Sequence, residues 1–149
     1  MLKNLFRNKI KLFMILILTF GLIVIRACED VLFYDPFLDY FRSNYQNNSI
    51  PKIDNFKLFS GLFFRYFANA VLSISIIYIV FKDPQMLQFS AFIYFILFLV
   101  LVFSFFVILI LYSEDNKMTL FYLRRFLIQP IFLLLFLPAF YFQKMQQIK

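Results

Sequence analysis

Long apolar stretches without a formal charge constrain this chain more than any other feature of its sequence. The longest, residues 85–113, contains no Asp, Glu, Lys or Arg. An α-helix needs about 20 mainly apolar residues to cross the roughly 30 Å hydrocarbon core of a bilayer. Because this stretch exceeds that length, it predicts a transmembrane helix, and the whole chain is predicted to be an integral membrane protein.

The composition supports this class of protein and removes several kinds of site. Hydrophobic residues make up 63% of the chain and charged residues 15%, against about 45–50% and 25% in soluble domains. The chain has no His and a single Cys, Cys28. This excludes an internal disulfide, a Cys/His zinc site and a Ser–His–acid triad. The apolar stretches hold no Asp or Glu, which excludes an intramembrane aspartyl protease. We expect no metal and no cofactor.

Four apolar stretches predict four transmembrane helices, at about residues 9–27, 58–81, 86–112 and 120–142. The predicted fold is an all-α bundle of these four helices, forming one domain over residues 1–149. Asp83 suits an N-cap and Pro84 the first position of a helix, so the second and third spans are predicted to form an antiparallel hairpin. Pro130 and Pro138 predict a kinked fourth helix, whose freed carbonyl groups are satisfied by its neighbours.

Residues 28–57 form the one connection that is long enough for structure outside the bilayer. Asp35 and Pro36 predict the start of a helix, with Asp35 as its N-cap. Apolar residues recur here at helical spacing: Phe33, Phe37, Leu38, Phe41 and Tyr45. They predict an amphipathic helix at the outer membrane–water boundary, with its aromatic face in lipid or against the bundle. Asp39 lies on the opposite face. Because Asn caps helices as well as Asp does, we expect Asp35→Asn to be a mild change.

The distribution of charge predicts the orientation in the membrane. Four cations and no acid precede the first apolar stretch: Lys3, Arg7, Lys9 and Lys11. Since the flank of the first helix usually dominates orientation, both termini are predicted to lie on the cytoplasmic side of the cytoplasmic (inner) membrane. The net charge of +7 is placed beside the spans and not along a soluble surface, so we expect no nucleic-acid partner.

Polar residues recur at helical spacing in the second and fourth spans. Arg65 lies about 10 Å below the outer boundary at 1.5 Å per residue, beneath a loop that carries Glu29 and Asp30. We predict one ion-paired cluster, which can also receive an acidic group of a partner: Arg65, Asn69, Tyr122, Arg124, Arg125, Gln129, Asp35 and Asp39. The alternative is that the arginines extend to the membrane surface and only anchor their helices.

Several segments together resemble a known family: residues 32–36, 39–41, 62–67, 81–83, 121–130 and 137–141. The most specific is Arg124-Arg125-Phe126-Leu127-Ile128-Gln129-Pro130, because it is polar where a membrane helix is expected to be apolar. The chain resembles the exosortase F system-associated proteins of Bacteroidetes. These are multi-pass proteins without assigned chemistry, associated with an exosortase, a membrane protease or transpeptidase that handles C-terminal sorting tails. The resemblance implies an exosortase or its substrates as partners.

The predicted function is that of a non-catalytic accessory membrane protein in an exosortase-type protein-sorting system. Its partners would be the lipid bilayer and other membrane proteins, and its oligomeric state stays open. Two alternatives remain. One is a transporter or channel component, which would conduct ions in liposomes. The other is a small membrane enzyme that uses outer-face carboxylates or Cys28.

Overall fold

The structure is a computed structural model that describes residues 8–43, 53–111, 116–129 and 131–147. Within these ranges all regular structure is helical, in seven helices: α1 (Lys9–Ala27), α2 (Glu29–Leu32), α3 (Phe37–Arg42), α4 (Asn55–Phe81), α5 (Pro84–Leu111), α6 (Lys117–Ile128) and α7 (Ile131–Gln147). The all-α class is therefore confirmed for the described part of the chain. Several residues named above lie outside it: Lys3, Arg7, Tyr45 and Pro130.

Three helices, α1, α4 and α5, are long and apolar enough to cross a membrane. The bent pair α6 and α7 would be a fourth span if the two count as one. The outward faces of these helices keep large apolar side chains exposed, among them Phe13, Phe92 and Phe103. Soluble monomers rarely expose such extended apolar surface. The described structure thus has three to four helices that could span a membrane, which is typical of a membrane protein.

The ends of the first three long helices follow local sequence signals. Helix α1 has the bounds predicted for the first span. Helix α4 begins three residues earlier than predicted, because the Asp54 carboxylate accepts the backbone N–H groups of Phe56 and Lys57 at 3.2 and 3.3 Å. The predicted cap of α5 is confirmed: Asp83 Oδ1 accepts the N–H of Gln85 at 2.9 Å, and the helix begins at Pro84.

Helix α4 is the central element of the described structure. It packs against α1, α5, α6 and α7, and α5 also packs against α6 and α7. The side chains of Leu58, Leu62 and Ile77 on α4 are almost fully buried. Helix α1 contributes no fully buried residue and lies on one side of α4. A helix with all of its residues partly exposed has its apolar surface available to lipid.

The predicted fourth span is two helices. The axes of α6 and α7 differ by 60°, so the predicted kink is present, as a break that separates two helices. Gln129 ends α6 with an extended backbone, φ −105° and ψ 140°, as residues before proline prefer. Asn69 Nδ2 donates to the carbonyl oxygen of Ile128 at 3.1 Å, which satisfies a backbone group that the break leaves free. Helix α7 continues through Pro138.

The helix predicted after Asp35 is present as α3, but its start differs from the prediction. Pro36 is its N-cap residue, and no side chain caps it; Asp35 was wrongly predicted to do so, because its carboxylate is bound by arginine. Phe37 and Tyr40 are buried in the core. The ring of Phe37 meets that of Phe105 edge-on, at 5.8 Å between centroids. The aromatic face of α3 thus packs against protein.

Gly61 lets the chain segment between α2 and α3 approach α4 closely. A Cβ at position 61 would lie 2.5 Å from the backbone oxygen of Tyr34. A backbone atom cannot rotate away, so Gly61→Ala should shift this segment and destabilise the protein by about 1–3 kcal/mol relative to a matched control. The control is Gly21→Ala, whose Cβ would meet only the flexible Leu72 side chain at 3.3 Å.

Thermal unfolding of both glycine variants in the same detergent measures this difference. Alanine favours helix over glycine by about 1 kcal/mol at either position, so this contribution cancels in the comparison. Equal unfolding temperatures for the two variants would contradict the close approach at Gly61.

Candidate functional site

Four charged side chains from separate segments meet at one end of the long helices. Glu29 comes from α2, Asp35 from the segment before α3, Arg65 from α4 and Arg124 from α6. Their side chains are between 1% and 6% exposed. We call these four residues the buried quartet. This end of the structure is the one where α1 ends and where α4 begins.

The buried quartet alternates in charge. Arg65 donates from Nη2 to Glu29 Oε2, and its Nη1 lies 3.5 Å from Asp35 Oδ2. Arg124 donates from Nε to both Asp35 oxygens, at 3.1 and 3.0 Å, and from Nη2 to Oδ2 at 2.6 Å. Two carboxylates therefore bind two guanidinium groups, and Asp35 is shared between α4 and α6. Such two-pronged contacts fix direction as well as distance.

Burial makes these contacts decisive for the conformation of the loop. A buried charge that loses its partner costs several kcal/mol, whereas a paired and hydrogen-bonded one is tolerated. Glu29 lies in α2, which buries no apolar residue, and Asp35 lies in the segment before α3. Their pairing with Arg65 and Arg124 therefore ties residues 28–43 to the two helices. The geometry favours the ion-paired interpretation of these two arginines over extension to the membrane surface.

Two more arginines surround Glu29 at the surface. Arg26 Nη1 donates to Glu29 Oε2 at 3.0 Å, and Arg42 Nη2 lies 3.9 Å from Glu29 Oε1 and 3.5 Å from Asp30 Oδ1. Both side chains are more than half exposed. A single carboxylate thus faces three guanidinium groups, of which only Arg65 is buried.

Of the five remaining predicted site residues, Asn69 makes a contact beside the quartet, Gln129 is half-buried, and Tyr122, Arg125 and Asp39 are exposed. Asn69 lies one helical turn after Arg65 and bridges α4 to the end of α6 through Ile128. Arg125 is exposed, and its Nε donates to Gln129 Oε1 at 3.1 Å. Tyr122 and Asp39 are also exposed. The structure thus brings together Asp35, Arg65 and Arg124, and the quartet does not include the other five predicted residues.

Helix geometry explains why Arg124 and not its neighbour enters the quartet. Successive residues of an α-helix point about 100° apart, so Arg124 and Arg125 face different sides of α6. Leu120, Leu127 and Ile128 are buried, and they lie four before, three after and four after Arg124. This apolar spacing was present in the sequence and identifies Arg124 as the arginine on the inner face. Glu29 could have been found as the acid three residues after Arg26.

The chemistry of the quartet is that of a structural anchor. Guanidinium groups occupy both oxygens of Asp35, and each guanidinium is a permanent cation with no proton to exchange near neutral pH. In the described ranges, no group of three or more His, Cys, Asp or Glu residues is placed to hold a metal ion. Cys28 is a half-buried free thiol. No family model, curated protein or solved structure matches this chain, so the family resemblance stays a prediction.

Proposed function

We propose that this chain is a non-catalytic accessory membrane protein of an exosortase-type protein-sorting system, acting by contact with other membrane proteins. One observation supports a contact role above others: the buried quartet uses its charges to hold residues 28–43 against α4 and α6. Ion pairs of this kind hold the surface of residues 28–43 in one conformation, and such preorganisation lowers the entropic cost of binding a partner. The sequence resemblance is the support for placing this role in an exosortase system.

The proposal includes a topology. Four spans, with α6 and α7 crossing as one bent unit, would place both termini in the cytoplasm and the quartet at the outer face of the inner membrane. The cations before α1 support this orientation. Helix α3 would then lie on the outer side, between the quartet and the core around Phe105.

Alkaline phosphatase fusions test this topology, because the enzyme is active only outside the cytoplasm. A fusion after Arg42 should be active and one after Lys149 inactive. An active fusion after both positions would mean that α6 and α7 do not cross the membrane, and that three spans are present. An inactive fusion after Arg42 would reverse the orientation.

Co-purification in mild detergent tests the contact role. The tagged protein should recover an exosortase from the native membranes, and Cys28→Ala and Asp39→Asn should each retain this association and most of the sorting activity in cells. Loss of a catalytic group typically removes 10²–10⁴-fold of a rate. A comparable loss in either variant, with normal protein level and association, would replace the proposal by an enzyme. Ion flux through liposomes without any associated exosortase would replace it by a transporter.

A further inference from the structure

A cleft of about 240 Å³ opens beside the buried quartet at the surface of this end of the molecule. Four arginines and one carboxylate contribute to its lining: Arg26, Arg42, Arg124, Arg125 and Glu29. Arg26 and Arg42 are more than half exposed and Arg125 is exposed. Their guanidinium groups therefore have donors that can reach a ligand in the cleft. Each guanidinium has five N–H donors in a planar fork that suits phosphate and carboxylate.

Charge around the cleft is not balanced by the carboxylates beside it. Three acids are within the ion-pair network: Glu29, Asp30 and Asp35. Five arginines belong to the network or line the cleft: Arg26, Arg42, Arg65, Arg124 and Arg125. The group therefore has two more cations than anions. An anion with one or two negative charges would complete it.

A second cavity borders this cleft and is lined mainly by apolar residues. It has a volume of about 440 Å³ and lies between α1, α4 and the bend that joins α6 to α7. Leu22, Ile23 and Leu134 are among its lining residues. Arg26 and Gln129 line both spaces, so the arginine-lined cleft and the apolar crevice adjoin at these two residues. The combined shape is that of an amphiphile, with an anionic group at one end and a hydrocarbon chain at the other.

We propose that the cleft and the crevice together bind one anionic phospholipid. Its phosphate would accept hydrogen bonds from Arg26, Arg42 and Arg125, and one acyl chain would lie against Leu22 and Ile23. The crevice runs beside α1, which is long and apolar enough to span a membrane, so a bilayer lipid can enter it from the side. Phosphate bound to guanidinium makes strong charge-assisted hydrogen bonds. The inference rests on the described structure and not on the accessory role.

Lipid titration of the purified protein in a neutral detergent, followed by native mass spectrometry, tests the site. Dioleoyl phosphatidic acid should bind at least tenfold more tightly than dioleoyl phosphatidylcholine, which has the same chains and a shielding choline. The double variant Arg42→Gln/Arg125→Gln should lose at least about tenfold of this affinity, since the hydrogen bonds of each guanidinium to a charged group contribute about one power of ten or more. Lys57→Gln is the matched control, because Lys57 is an exposed cation at the same end that does not line the cleft.

A second pair of variants tests the chain-binding crevice. Ile23→Trp should fill the crevice and weaken phosphatidic acid binding, whereas Ile17→Trp, on the same helix and also exposed, should not. Inorganic phosphate should bind at least about 100-fold more weakly than the lipid, because it has no acyl chain to bury in the crevice.

Four outcomes would overturn the proposal. Equal affinity for the two lipids would indicate unspecific lipid contact, and an equal loss in Lys57→Gln would indicate general surface charge. If inorganic phosphate binds as tightly as the lipid, the acyl chain does not contribute to binding and the crevice is not part of the site. Binding of a transmembrane peptide with an acidic end can also be measured on the double variant. If the loss of Arg42 and Arg125 weakens peptide binding but leaves phosphatidic acid binding unchanged, the site binds a protein partner.

Discussion

Arg65→Leu should lower the free energy of unfolding in detergent by about 3–5 kcal/mol, the usual cost of removing one partner from a buried ion pair. The side chain of Arg65 is 1% exposed and lies against the carboxylates of Glu29 and Asp35. Its removal leaves Glu29 as a buried anion whose other two partners are surface arginines. Leucine fills part of the volume of Arg65 but has no positive charge and no hydrogen-bond donor for the Glu29 carboxylate. Chemical unfolding followed by circular dichroism measures the loss.

Lys57→Leu is the control for this change. It removes a cation from the same helix, two turns earlier, at a side chain that is 66% exposed and pairs only loosely with Asp54 at 3.7 Å. Exposed ion pairs contribute about 0–1 kcal/mol, so the control should unfold almost as the natural protein does. If Arg65→Leu were equally harmless, Arg65 would be a lipid-facing anchor and the quartet would not exist in the membrane.

A paired replacement separates the ion pair from simple loss of volume. Glu29→Leu combined with Arg65→Leu removes both charges together, and buried ion pairs exchanged for apolar residues are often tolerated. We therefore expect the double variant to lose less unfolding free energy than the sum of the losses in the two single variants. Additive losses would indicate that the two side chains do not interact.

The positions of the long helices could be predicted from the sequence because hydropathy alone decides them. The bounds of α1 agree with the predicted span, and the hairpin between α4 and α5 follows from Asp83 and Pro84. The early start of α4 was missed because Lys57 interrupts the apolar stretch, whereas Asp54 caps the helix regardless of polarity. The break between α6 and α7 was expected from Pro130, but the size of its 60° angle was not. Both helices also contact α4 and α5, and no local pattern contains these contacts.

The sequence predicted that the candidate site is an ion-paired cluster, but it did not predict correctly which residues form it. An arginine inside an apolar span requires a partner, and Arg65 has two. Which acid is that partner depends on contacts 30 and 36 residues apart in the chain. Five acids lie in residues 28–57, and only the fold of α2 and α3 brings Glu29 and Asp35 inward. Two local signals could have corrected the set: the helical spacing of buried apolar residues around Arg124 and the position of Glu29 three residues after Arg26.

Asp35→Asn and Asp39→Asn form a matched pair that tests this membership directly. The two residues are four positions apart, and the same atom exchange is made in both. The Asp35 side chain is 4% exposed and binds Arg124 with both oxygens, whereas Asp39 is exposed in the first turn of α3. We expect Asp35→Asn to cost about 3 kcal/mol of unfolding free energy, because it leaves Arg124 without its charge partner and turns an amide N–H₂ toward a cation.

Asp39→Asn should cost less than about 1 kcal/mol, the range of a single charge near a helix N-terminus. Chemical unfolding of both variants in one detergent gives the comparison. A helix cap at Asp35 would predict a different result, since Asn caps helices as well as Asp does and both variants would then be nearly neutral. Nearly equal stabilities would therefore contradict the pairing of Asp35 with Arg124. A loss confined to Asp35→Asn would be explained by that buried charge, because capping strength is the same before and after the exchange.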